Sequence, residues 1–191
     1  MVPKNTAAGG QRMGRSLTKY SFARDGDLNK PVGKINFGDN WNEQMIQWGM
    51  NSSNGIIDYG LHANNGQSYD LKSHDKGLDY EGSILFSEWG DDVYGSRRDA
   101  GNFLAGAKAQ RSILPTDGLI YGFGAFNAAG NKIKNIPSTV VSDIVTGGGL
   151  LKAPYYGEGP QSGSAIMQGV KHYKKFSNNW FFPERKPARK K

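Results

Sequence analysis

Residues 80–110, YEGSILFSEWGDDVYGSRRDAGNFLAGAKAQ, pass from one local geometry to another within a single stretch. The first part, YEGSILFSEW, is a β-capable run that closes on the acidic, glycine-containing DDVYG. The second part predicts a helix from about Arg97 to Gln110. Ser96 stands at the N-cap, and Asp99 falls at N3, where a carboxylate favours the helix dipole. Phe103, Leu104 and Ala107 then share one face at helical spacing. A strand that runs into an amphipathic helix sets the class as α+β.

The flanking segments extend that pattern. Upstream, Asp39 or Asn40 is a suitable N-cap for a helix that places Trp41, Met45 and Trp48 on one core-facing side and stops near Gly49. Before it, KINF is a short edge strand or ordered loop. IIDYGLHANNGQSYDLK, residues 56–72, reads as two short strands around Asn-Asn-Gly. Downstream, Pro115 interrupts the helix, and GLIYGFGAFNAAGN at 118–131 has the glycine spacing of a strand packed closely against another backbone. Two further helices are expected at about 138–146 and 162–173. The whole predicts a single α+β domain with about four short helices and a small antiparallel sheet, rich in glycine and aromatic residues.

Composition limits the possibilities further. At 191 residues with 37% hydrophobic content and 27 glycines, the chain is sized for one loop-rich domain. It contains no cysteine, which excludes disulfides, thiolate metal sites and a cysteine nucleophile. No apolar run is long enough to span a membrane, and no targeting segment is expected. The net charge of +7 is concentrated at the ends: 1–19 and 183–191 each carry +4, which leaves 20–182 at −1. The expected organisation is therefore a flexible basic leader at 1–19, a near-neutral domain at 20–182 and a basic tail at 183–191.

Two kinds of chemistry fit the available side chains. A metal-independent ribonuclease needs a base for the 2′-hydroxyl, an acid for the leaving oxygen and a fixed cation for the phosphorane. His62, His74 and His172 are the only histidines, and Lys72, Arg97 and Arg98 are candidate cations. A glycosidase instead needs two facing carboxyls, and Glu81, Glu88, Asp91, Asp92 and Asp99 lie in one segment. No HExxH, P-loop, dinucleotide fingerprint or GxSxG elbow is present. No cofactor is expected, although scattered carboxylates remain compatible with a magnesium site.

Three segments together, NNGQSYDLK at 64–72, SRRDAGNFLAGAKAQ at 96–110 and YYGEGPQSGSAIMQGVKHY at 155–173, resemble the bacterial toxin 44 family, polymorphic toxin type 44. The resemblance is carried by Tyr69, Asp70 and Lys72, then by Asp99, Gly101, Asn102 and Phe103. It implies a C-terminal effector domain of an Rhs-type or contact-dependent toxin, secreted on a carrier protein and delivered into a target bacterial cell. It also implies a cognate immunity protein and nuclease activity, and it adds Asp70 as a catalytic candidate with Tyr69 and Asn102 as substrate-binding ones.

The leading expectation is accordingly a toxin that cleaves nucleic acid, RNA in preference, in the target cytoplasm. The alternatives are a periplasmic peptidoglycan hydrolase using Glu81 or Glu88 with Asp99, and a non-enzymatic binding or membrane-perturbing domain using the basic tails and residues 118–130.

Overall fold

The computed structural model describes residues 13–31, 33–52, 55–63, 66–73, 80–88, 90–149, 151–153 and 155–176. At its centre are strands β3 (Glu81–Glu88) and β4 (Asp91–Ser96), paired antiparallel, with helix α3 (Arg97–Arg111) following β4 directly. The handover is a full capping box: Ser96 Oγ accepts from Asp99 N (3.1 Å), and the Asp99 carboxylate accepts from Ser96 N (2.8 Å). The order expected for residues 80–110 is thus the order found.

The sheet is mixed rather than purely antiparallel. Two-residue strands β1 (Arg15–Ser16) and β2 (Lys34–Ile35) add parallel edges, giving the order β1-β4-β3-β2. β2 lies within KINF. β1 lies within the stretch expected as leader, and the adjoining Leu17 is buried in the core. β3 carries a bulge between Ile84 and Phe86, so Leu85 and Phe86 both reach the core cluster instead of alternating faces.

Six α-helices occur among the described residues, against about four expected. α1 (Trp41–Ser52) starts where Asp39 Oδ1 accepts from Trp41 N at 2.9 Å. Its inward face is one residue out of step with the expected one. Asn42, Ile46, Gly49 and Met50 are buried, while Trp41 and Met45 pack on the margin and Trp48 is 38% exposed against the Tyr69 ring. Asn42 is tolerated there because its amide donates to Gly95 O (2.8 Å) and its N–H to Ser83 Oγ (2.9 Å), tying α1 to both central strands.

Two strand assignments are corrected. Residues 56–62 form α2 (Ile56–His62), and Leu71–Ser73 form a 3-10 turn, where a hairpin was expected. Ile56, Tyr59 and Ala63 reach the core from one helical side, and the Tyr59 hydroxyl donates to Gly101 O (3.1 Å), so tertiary packing overrides the local turn signal. Residues 118–131 contain most of α4 (Thr116–Ala128), not a strand. One of its glycines, Gly124, makes a close helix-to-loop contact, described below. α5 (Ile136–Val145) and α6 (Pro160–Phe176) complete the chain of elements.

α3 and α6 form the densest helix pair. An added Cβ at Gly106 would lie 1.9 Å from Ile166 O, and one at Gly169 would lie 2.0 Å from Phe103 O. The two backbones therefore touch where no side chain intervenes, and Phe103, Ala107, Ala165, Ile166 and Val170 close the surrounding space. This packing fixes the N-terminus of α6, and the loop before it, against the N-terminal half of α3.

Candidate functional site

A cavity of about 150 Å³ opens at that junction. Its floor is the first turns of α3, with Arg97, Arg98, Gly101 and Asn102. One wall is the 66–73 loop with Tyr69, Asp70 and Lys72. α4 contributes Phe123, Phe126 and Asn127, and Glu158 enters from the loop that precedes α6.

The 66–73 loop is organised by Asp70. This buried carboxylate accepts from Gly66 N (2.8 Å) and Ser73 Oγ (2.6 Å), and it holds the Lys72 ammonium at 3.8 Å. Tyr69 is fixed between the rings of Trp48 (5.2 Å) and Tyr59 (5.5 Å). Asp70 thus ties the turn from which Lys72, less buried than its partner, reaches the cavity that both line.

Glu158 is positioned by a backbone-to-backbone contact. A Cβ at Gly124 would lie 1.5 Å from Tyr156 O, so α4 presses directly on the loop. Tyr156 and Gly157 both take positive φ, +48° and +95°, and Asn127 Nδ2 donates to Gly157 O at 3.1 Å. Glu158 N donates to Tyr155 O (2.8 Å) and closes the turn. Burial raises the Glu158 carboxyl to about pH 7, with Arg98 and Lys72 pulling in the opposite direction. A carboxyl with that pKa exists in both protonation states near neutrality, as a general base or acid requires.

Tyr69, Asp70, Lys72, Arg97, Arg98 and Asn102 of the sequence-derived candidates thus gather around one cavity. Arg97 is already engaged, its guanidinium 4.0 Å above the Trp41 ring and 3.7 Å from Glu81. Arg98 and Lys72 are the cations whose charge acts on Glu158.

The remaining candidates lie elsewhere. His172 is buried in an aromatic cluster, 4.1 Å from Phe86, 5.4 Å from Phe103 and 4.7 Å from Phe176. His62 sits at the end of α2 and donates through Nδ1 to Asp58 O (2.9 Å) without lining the cavity. His74 lies outside the described residues. Asp99 is the capping-box acid, wholly buried, its carboxyl raised to about 6 by desolvation against the opposing hydrogen bonds from Ser96. Glu81 accepts from Asn36 Nδ2 and faces Arg97. Glu88 is held by Arg15 (2.7 Å) and Lys175; burial would raise its carboxyl, but those two cations outweigh it and keep it below the usual range. None of Glu81, Glu88 and Asp99 lines the cavity.

Glu158, Phe123, Phe126 and Asn127 are the cavity residues that sequence reasoning missed. Glu158 stands in YYGEGP, within the third segment that carries the family resemblance but not singled out there, and the other three were hidden by the strand assignment of α4. The spacing of Leu119, Ile120, Phe123 and Phe126 is helical and was the available signal. Among the described residues no group of three or more His, Asp or Glu side chains is arranged to hold a metal. No family model, curated protein or solved structure matches the chain.

Proposed function

We propose that this chain is the effector domain of an antibacterial toxin and cleaves RNA in the cytoplasm of a target cell, with Glu158 as the proton-transferring group. The observation that carries the reading is a half-buried carboxyl with a pKa near 7, in a cavity that also holds Lys72 and Arg98. A phosphodiester with a neighbouring hydroxyl needs that combination of a base and fixed cations.

In this reading Glu158 takes the 2′-hydroxyl proton and the 2′-oxygen attacks phosphorus. Arg98 and Lys72 bind the non-bridging oxygens, whose charge grows in the phosphorane. The 5′-oxygen departs with a proton from the Lys72 ammonium or from water, leaving a 2′,3′-cyclic phosphate. Phe123 and Phe126, three residues apart on α4, line the same cavity and offer apolar surface on which a base can stack. Glu158 takes the role that the three histidines were expected to fill. The resemblance to the toxin 44 family supports delivery on a secreted carrier and neutralisation by a cognate immunity protein.

The test is expression of the full chain in a bacterium, retained in the cytoplasm or exported, with RNA integrity followed in each culture. The reading expects RNA loss and growth arrest in the cytoplasmic strain, abolished by Glu158→Gln. Intact RNA, with lysis only after export, would refute it.

A further inference from the structure

α5 leaves a row of aliphatic side chains in solvent. Val141, Ile144 and Val145 fall on one side of the helix and are 59%, 68% and 79% exposed, whereas Asp143, on the opposite side, is buried and accepts from Leu151 N at 3.1 Å. Ile136 and Val140 are half-buried on the side of Asp143, so the three exposed aliphatic residues form a second apolar face, which the usual surface helix lacks. Ile113 and Leu114, just before α4, are also exposed.

Charge says what this face suits. Between residues 118 and 153 the only acid is Asp143, and it is turned inward, while Lys132, Lys134 and Lys152 flank α5 on both sides in sequence and are exposed. An exposed apolar helical face with exposed lysines on either side of it in sequence suits an anionic bilayer surface, where aliphatic side chains enter the acyl boundary and ammonium groups meet headgroup phosphates. A ten-residue helix is about 15 Å long, half the hydrocarbon thickness, so α5 lies in the interface and does not span. No described helix is long and apolar enough to cross a membrane.

We infer that the outer face of α5, with Lys132, Lys134 and Lys152, is a docking site for an anionic lipid surface. None of these residues lines the Glu158 cavity, so the site is separate from the proposed chemistry.

The experiment is flotation of the full chain with vesicles of phosphatidylcholine alone, or of equal parts phosphatidylglycerol and phosphatidylcholine. Wild type is expected to bind the anionic vesicles at least about tenfold more tightly, with the preference falling as salt is raised. A Val141→Gln/Ile144→Gln/Val145→Gln variant keeps every basic residue, both termini included, and is expected to lose that binding while keeping the wild-type circular dichroism spectrum. An Ile144→Trp variant is expected to be quenched by brominated anionic lipid beyond the quenching of the four native tryptophans. Equal binding by the triple variant would overturn the inference, because the basic ends alone would then suffice. So would self-association of wild type that the triple variant abolishes without any change in vesicle binding, because the face would then belong to a second copy.

Discussion

Gly124→Ala separates the placement of Glu158 from the stability of the fold. The new methyl would begin 1.5 Å from Tyr156 O and 2.4 Å from its carbonyl carbon, where ordinary contact starts at 3.4 Å. Backbone atoms cannot rotate aside, so α4 and the 155–158 loop must separate by roughly 2 Å. Overpacking of this kind costs about 1–3 kcal/mol, and the alanine returns up to about 1 kcal/mol of helix propensity. The net loss is between about 0 and 3 kcal/mol, which lowers Tm by at most roughly ten degrees in a chain of this length. The catalytic effect is larger, since a misplacement of about 1 Å costs on the order of a hundredfold in rate. Gly122→Ala, two residues away with no atom within 4 Å, is the matched control and should raise Tm slightly with unchanged activity. The assay is kcat/KM on a defined RNA beside thermal unfolding. A Gly124→Ala protein with wild-type kcat/KM would refute the claim that this contact places Glu158.

Further outcomes follow from the same geometry. Removing residues 1–19 deletes β1 and Leu17, and burial of the leucine alone contributes about 1.5–3 kcal/mol, so denaturant unfolding of residues 20–191 should show a clear loss of stability. His172→Leu should keep RNA cleavage wherever it folds, since its ring sits among Phe86, Phe103 and Phe176 and not in the cavity; loss of activity in a protein with native Tm would restore His172 as a catalytic residue. Asp99 and Glu158 have folded pKa values near 6 and 7, above their ordinary 3.8 and 4.5, so the folded state holds protons that the unfolded chain releases. Their contribution to stability is therefore present below about pH 4 and fades as pH rises to 7. Tm measured across that window should fall, and fall less in Asp99→Asn, whereas an identical slope in the variant would contradict the assignment.

What the sequence makes legible is the part governed by local rules. The Ser96–Asp99 cap, the β4-to-α3 handover and the stop at Pro115 follow from residue chemistry at fixed spacing, and the structure has them. Of the polar set around the cavity, Lys72 and Arg98 were reached as candidate cations, and Tyr69, Asp70 and Asn102 through the resemblance of short motifs to the toxin 44 family. The rest depended on contacts between distant segments. Nothing near Trp41 announces that Asn42 faces inward; its amide is satisfied only by carbonyls of strands more than forty residues away. The glycine spacing of α4 imitates a strand, and the one of these glycines that makes a close contact, Gly124, makes it with Tyr156, which the local pattern does not contain. Glu158 gains its character from burial against α4 and from Arg98 and Lys72, none of them its neighbours in sequence. The histidines drew attention through scarcity alone, and scarcity carries no geometry.

The central claim is most directly tested by the pH dependence of RNA cleavage by the purified full chain, wild type against Glu158→Gln. Acting as base, Glu158 must be ionised, so kcat/KM should rise through a midpoint near pH 7, and the product should carry a 2′,3′-cyclic phosphate. Glu158→Gln should lose about 10²- to 10⁴-fold and the rising limb with it. Cleavage by Glu158→Gln at the wild-type rate, or no cleavage of RNA by wild type at any pH, would contradict the account.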